Sequence, residues 1–196
     1  MYRRAKADLR YLLNRNYKKK YALDFVCNHY KLKKRERYLL ARSTFSDEEI
    51  LKIKSKKKPI EEMRGRELLI DGYNVLITTE AVLEGEYVVC DDTVIRDVRG
   101  VFGRYEVRDM SFRALDEILE IAKDASSVEF VFDEQVSKSG ELCHILRKRG
   151  FEAKTTRHVD LEIIEKNILT ATSDSLIIKS IDEFVDIPDE VRKALL

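Results

Sequence analysis

Near the start of the chain, apolar residues recur every three or four positions: Leu9, Leu12 and Leu13, then Tyr17, Tyr21, Leu23, Phe25 and Val26. That is the helical period. Neither Pro nor Gly interrupts it before Pro59, so two or three short helices are predicted, one of them over Lys33 to Ala41. Ser46-Asp47-Glu48-Glu49 has the form of a capping box and predicts another helix start. Lys52 to Lys58, KIKSKKK, followed by Pro59, reads as a linker.

Beyond Pro59 the pattern changes to short apolar runs separated by helical stretches. Strands are predicted at Glu67 to Ile70, Val128 to Phe132, Phe151 to Thr155, Asn167 to Thr172 and Phe184 to Ile187. Helices are predicted at Ser111 to Lys123, Ser139 to Arg149, Asp160 to Glu165 and Ser175 to Ser180. The alternation is that of an α/β domain with a mainly parallel sheet over residues 65–196, preceded by a small all-α module over residues 1–58.

Charge sharpens this division. The formal net charge of +1 sums two opposites: residues 1–60 hold 19 Lys and Arg against 6 Asp and Glu, and residues 61–196 hold 18 against 30. Six of the nine tyrosines lie in the basic part, among Arg3, Arg4, Arg10, Arg15, Lys18, Lys19, Lys20, Lys33, Lys34 and Arg35. Basic side chains neutralise phosphates and aromatic faces stack on unpaired bases, so single-stranded or structured RNA is the expected partner. A helical bundle with a tyrosine core and a solvated lysine face would give the same pattern. The opposite charges could also dock the basic module on the acidic domain of a second copy, forming a homo-oligomer. No stretch is long and uncharged enough to span a bilayer, and the basic N-terminus lacks an apolar segment behind it. Cys27, Cys90 and Cys143 have no CxxC spacing, which favours a reducing, cytoplasmic setting without a membrane. Cys27 with His29 lacks a second ligand pair, and Cys143, His144 and His158 form no recognisable nucleophile set.

The candidate chemistry lies where acids meet strand ends. Asp71, Asp133 and Asp174 each follow an apolar run, and Asp160 opens a predicted helix, so all four are expected at the carboxyl edge of the sheet, where ligands bind. A single aspartate there is as often a helix cap or turn residue. Four gathered together repel one another unless a cation sits among them, and an all-oxygen donor set selects Mg²⁺ or Mn²⁺.

Leu-Leu-Ile-Asp71-Gly72-Tyr73-Asn74-Val75 resembles the opening motif of the NYN group of PIN-like nucleases. Val131-Phe132-Asp133, His158-Val159-Asp160 and Thr170-Ala171-Thr172-Ser173-Asp174 follow in a similar order. The resemblance covers residues 65–196 discontinuously. It implies a PIN-like three-layer α/β/α fold and a divalent-metal-dependent endoribonuclease. Asp71, Asp160, Asp174 and Asp133 would be catalytic metal ligands, Asn74 would orient water or phosphate, and Ser173 would steady Asp174. PIN-like folds also host inactive members, so an RNA-binding scaffold without catalysis is the alternative. A basic helical segment ahead of such a domain also resembles an archaeal protein family of unassigned activity.

About fifty residues separate Val75 from Val128, and two runs between them, at residues 86–92 and 94–100, predict a β-hairpin over the active edge. Arg96, Arg99 and Arg104 there could hold a phosphate, or could be surface arginines of an ordinary hairpin. Ser137-Lys138-Ser139-Gly140, ahead of a predicted helix, is a second candidate anion site, though helix capping would explain Ser137 and Ser139 equally well.

Overall fold

The computed structural model describes residues 1–100 and 105–196. Four helices open the chain: α1 (Tyr2–Leu13), α2 (Lys19–His29), α3 (Lys34–Ser43) and α4 (Asp47–Lys56). Then come β1 (Glu67–Asp71), α5 (Gly72–Leu83), the antiparallel hairpin of β2 (Tyr87–Val89) and β3 (Ile95–Asp97), and α6 (Asp109–Ala122). The remainder alternates: β4 (Ser127–Asp133), α7 (Ser139–Lys148), β5 (Glu152–Thr156), α8 (Val159–Lys166), β6 (Thr170–Ala171), α9 (Ser175–Ser180), β7 (Phe184–Val185) and α10 (Ile187–Ala194).

The main sheet runs β5-β4-β1-β6-β7 with every neighbouring pair parallel. Successive side chains on a strand point to opposite faces. Leu68, Ile70, Phe130 and Phe132 therefore pack with α5, α6, α7 and α10 on one side. Leu69 and Val131 pack with α4, α8 and α9 on the other. The result is a three-layer α/β/α arrangement, with Ala5, Leu9, Val26, Cys27 and Leu40 forming a separate small core among α1, α2 and α3. Among the described residues no helix is long and apolar enough to cross a membrane.

Several elements differ from the sequence expectation. The capping box forms, Ser46 Oγ accepting from the Glu49 amide at 3.2 Å, but the helix it starts runs through Lys56 and removes the expected linker. Ile50 and Ile53 give α4 an apolar face that is buried against α9 and the sheet. Lys56 Nζ donates to the carbonyls of Ile178, Lys179 and Ile181, and Lys57 bridges to Phe184 beside the outer strand β7. The lysine run is thus built into the domain. The expected strand at Asn167 to Thr172 shrinks to Thr170–Ala171, because Asn167 takes a left-handed conformation (φ 43°) that ends α8. The strand expected to reach Ile187 stops at Val185, and Ile187 opens α10 with Pro188 in its first turn.

Helix α5 has no counterpart in the predicted elements. Ten of its twelve residues are buried, so it lacks the polar stripe that gives a helix its periodic signature. It starts immediately after β1, and Gly72 permits this. A Cβ there would lie 2.5 Å from the Phe132 ring and 2.8 Å from the Val131 carbonyl oxygen, both on β4. Gly72→Ala should therefore destabilise the protein by about 1–3 kcal/mol, the usual range for overpacking, as read from urea unfolding of the full-length chain. Unchanged stability would mean that α5 and β4 can separate freely.

Candidate functional site

In an all-parallel sheet the strands share one carboxyl edge, and β1 is the point where chain order reverses, with β4 on one side and β6 on the other. A cleft of about 590 Å³ opens there, and Asp71, Asp133, Asp160 and Asp174 all line it. Asp71 ends β1, Asp133 ends β4, Asp160 lies in the first turn of α8, and Asp174 caps α9. The fold thus brings to one cleft the three aspartates singled out by strand-end position and Asp160, singled out at a helix start.

Their surroundings differ. Asp174 Oδ1 accepts from the Leu176 and Ile177 amides at 2.7 and 3.2 Å, and Asp133 Oδ1 accepts from the Gln135 amide at 2.8 Å. Both do the capping or turn work that strand-end aspartates commonly do. Asp71 makes no cap bond to its helix, is 7% exposed, and accepts a 2.8 Å hydrogen bond from Thr172 Oγ1. Thr172 Oγ1 in turn accepts from the Asp174 amide at 3.1 Å. Asn74 Oδ1 accepts from the Ser173 amide at 2.7 Å. Thr172, which motif matching left without a role, is therefore the link between Asp71 and Asp174. Ser173 does not steady Asp174 through its hydroxyl, because that hydroxyl is buried without a partner.

The electrostatics follow from this burial. Burial pushes the Asp71 carboxyl up to about 7; the Thr172 hydrogen bond opposes the rise, and the charges of Asp174 and Asp160 add to it. The Asp160 carboxyl is also raised, by partial burial and then by Asp174 and Asp133. The carboxylates sense one another, as the sequence reading expected of a shared site. Among the described residues, however, no three His, Cys, Asp or Glu side chains converge into a ready metal-holding group.

The remaining expected site residues divide. Arg96 is not a free phosphate binder: it is 2% exposed, forks onto Asp92 at 2.9 and 2.7 Å, and donates from Nε to the Ser173 carbonyl at 2.9 Å. Burying a guanidinium demands such a partner, and here it clamps the hairpin to the turn after β6. Arg99 is likewise committed, pairing with Glu80 at 3.2 Å, Glu86 at 2.8 Å and Glu84. Arg104 lies outside the described residues. Ser137 and Ser139 do not line the cleft; the Ser137 carbonyl accepts from Tyr73 at 3.5 Å, and Ser139 is buried in the first turn of α7.

In the basic segment Arg3, Arg4, Arg15, Lys18, Lys20, Lys33, Lys34 and Arg35 are exposed. Arg10 instead pairs with Asp91 at 2.9 Å, and Lys19 turns inward, its Nζ 2.8 Å from the Thr44 carbonyl oxygen and 4.2 Å from the Phe45 ring centre. Lys6 with Asp91, Arg42 with Asp97 and Lys179 with Glu49 also join the basic and acidic parts, so their complementarity is partly satisfied within one chain. Tyr38 and Arg42 of α3 line the aspartate cleft, a role that no sequence pattern marked.

An all-parallel α/β domain with an acidic cleft at its carboxyl edge and a basic helical wall is the class that fold and site define. The family described as "Domain of unknown function (DUF5616)" matches residues 60–190, and that described as "Protein of unknown function (DUF434)" matches residues 2–56. The chain belongs to the DUF5616 family, with a DUF434 segment ahead of it. It is 43% identical over 185 residues to the uncharacterized protein MJ0935 of Methanocaldococcus jannaschii, an alignment covering 90% of this chain and 88% of that one. No solved structure matches the chain.

A carboxyl held at about 7 rather than its ordinary 3.8 favours the fold while it is protonated. That stability is fully present below about 3.8 and is lost as pH rises through about 7. Asp71→Asn, which mimics the neutral form, should stabilise the metal-free protein at pH 8 by on the order of 2–4 kcal/mol and leave it unchanged at pH 4. Thermal unfolding in EDTA at both values checks this; an equal effect at both would rule out the ionisation cost.

Proposed function

We propose that this protein is a divalent-metal-dependent nuclease, an endoribonuclease of PIN-like fold that hydrolyses RNA phosphodiesters. The observation that carries the reading is that Asp71, Asp133, Asp160 and Asp174 all line one cleft, with the Asp71 and Asp160 carboxyls raised first by burial and then by their neighbours' charges. A carboxylate group that is strained by its own repulsion favours a cation among its oxygens. The donors are all oxygen, which fits Mg²⁺ or Mn²⁺, and Mg²⁺ keeps several waters, so a few carboxylates suffice without a closed cage. Asp71, Asp160, Asp174 and Asp133 are the residues that would hold the ion. When bound, such an ion supplies hydroxide near neutral pH and offsets charge on the phosphodiester oxygens.

The chain's own groups set up this chemistry. Thr172 occupies one Asp71 oxygen and so orders the carboxylate. Asn74 holds the Ser173 amide through Oδ1, and with it the turn carrying Asp174, while its Nδ2 would orient water or phosphate. Arg157 and His158 line the cleft beside Asp160, and Arg157 is held there by its pair with Glu134. RNA would be gathered by the exposed lysines and arginines of α1, α2 and α3, with Tyr17, Tyr21 and Phe25 as stacking faces, each more than half exposed.

Incubation of single-stranded RNA with the full-length protein and Mn²⁺ tests the reading. Cleavage should depend on the metal, and Asp71→Asn or Asp174→Asn should lower it at least ~100-fold, since even outer-shell partners of a metal are worth about 10–100-fold. Asn keeps the capping ability of Asp174, so a loss there reports chemistry rather than unfolding. No cleavage of RNA or DNA with either metal would sink the enzyme reading.

A second reading, an RNA-binding scaffold without catalysis, is favoured by the absence of a tight acid group among the described residues and by those exposed aromatics. It expects RNA affinity indifferent to metal. Under either reading Tyr21→Ala with Phe25→Ala should weaken single-stranded RNA binding by about 1–3 kcal/mol per stacked base, measured by fluorescence anisotropy; unchanged affinity would remove α2 from the interface.

A further inference from the structure

Beside the aspartate cleft lies a second pocket of about 250 Å³ that shares Tyr38, Arg42 and Asp174 with it. Its cations come from both parts of the chain: Lys19 of α2, Arg42 of α3 and Arg96 of β3 line it together with Ser173 and Ser175. Arg42 and Arg96 are paired with Asp97 and Asp92. Lys19 has no such carboxylate among the described residues. Glu49, whose charge reaches it, is instead paired with Lys179 at 2.6 Å. Burial brings the Lys19 ammonium down to about 8; Glu49 and Asp92 oppose the fall, and Lys179 and Arg96 add to it. Lys19 and Arg96 both lie over the Phe45 ring, at 4.2 and 5.0 Å, and Phe45 is itself buried.

A lysine largely removed from water and with no carboxylate paired to it is costly unless an anion joins it. Two residues that line the pocket carry further unpartnered donors. Ser173 Oγ, on a residue 1% exposed, has no hydrogen-bond partner, and neither has the buried Nε of Arg42. Both can donate, and buried donors in folded proteins are ordinarily satisfied. Asp174 stands on the shared wall, but its Oδ1 is engaged by two amides.

From these observations we infer that the pocket seats a phosphate group of the nucleic acid, adjoining the phosphate that reaches the aspartates. Lys19, Arg42 and the Ser173 hydroxyl are its donors. The assignment of that phosphate to a nucleic acid rests on the nuclease reading. The pocket would then explain why the two family segments share one chain: the DUF434 segment supplies Lys19 and Arg42, and the DUF5616 segment supplies Arg96, Ser173 and Ser175. A strand lying across the pocket and the cleft would be gripped at one phosphate and presented at the next.

Calorimetric titration of inorganic phosphate into the full-length protein in EDTA tests the site without any catalysis. Wild type should bind saturably, Lys19→Gln should weaken binding by about tenfold or more, the worth of one charged hydrogen bond, and Lys19→Arg should retain most of it. Thermal unfolding of each variant checks that it is folded. Should Lys19→Gln fail to fold, Ser173→Ala decides, and unchanged affinity there overturns the inference. No saturable binding to wild type, or equal affinity in a folded Lys19→Gln, overturns it outright. Single-stranded RNA with and without a 5′-phosphate separates the sources: a Lys19-dependent gain from the 5′-phosphate marks a terminal phosphate, and equal Lys19-dependent binding of both marks an internal one. A protein that binds phosphate through Lys19 yet cleaves nothing refutes the nuclease reading alone; a nuclease indifferent to Lys19→Gln refutes this inference alone.

Discussion

The Thr172 hydroxyl joins the two central strand ends. It donates to Asp71 Oδ2 at 2.8 Å and accepts from the Asp174 amide at 3.1 Å, tying the end of β1 to the turn after β6. The strand β6 is only two residues long, so ladder hydrogen bonds alone hold it weakly in register with β1. Two further bonds reinforce the same junction: Asn74 to the Ser173 amide and Arg96 to the Ser173 carbonyl. Main chain at Ser173 is thus held from both sides, and with it the adjoining Asp174.

That junction carries an electrostatic cost. Asp71 is almost fully buried and faces like charges, so its ionised form is disfavoured in the fold. Natural sequences tolerate such a residue where its removal would stabilise the protein but abolish what the residue does. The contrast within the cleft supports this view. Asp174 and Asp133 are less buried and satisfy backbone amides, whereas the Asp71 carboxyl is buried and raised despite its hydrogen bonds. Arg96 and Asp92, by comparison, show how the same fold buries charge when only structure is at stake: a two-pronged pair with every guanidinium nitrogen occupied.

The N-terminal segment is part of this machinery. Ile50 and Ile53 lie in the apolar layer beneath the sheet, Lys57 reaches the buried Asp186 at 3.0 Å, and Arg42 reaches Asp97 at 2.6 Å. Only the core of α1, α2 and α3 is separate. Opposite charges that would otherwise attract a second copy are in part consumed within the chain.

Local pattern alone determined most of the strand-and-helix alternation over residues 65–196, the capping box at Ser46, and the placing of Asp71 and Asp133 at strand ends. These depend on neighbours a few residues apart: side-chain period, capping hydroxyls, and the carboxyl edge that a parallel sheet presents. Helix α5 escaped such a reading because burial on all sides leaves no polar stripe, and the lysine run at 52–58 because its count of charges outweighed two isoleucines. What only the tertiary structure decided is which charges are free. Arg96, Arg99 and Lys19 look alike in sequence, yet the first two are consumed by acids 4 to 19 residues away and the third is left with none. Charge pairing and desolvation depend on distance in space, which a linear pattern does not contain, so the Thr172 link, the Tyr38 and Arg42 wall and the second pocket became visible only in the folded chain.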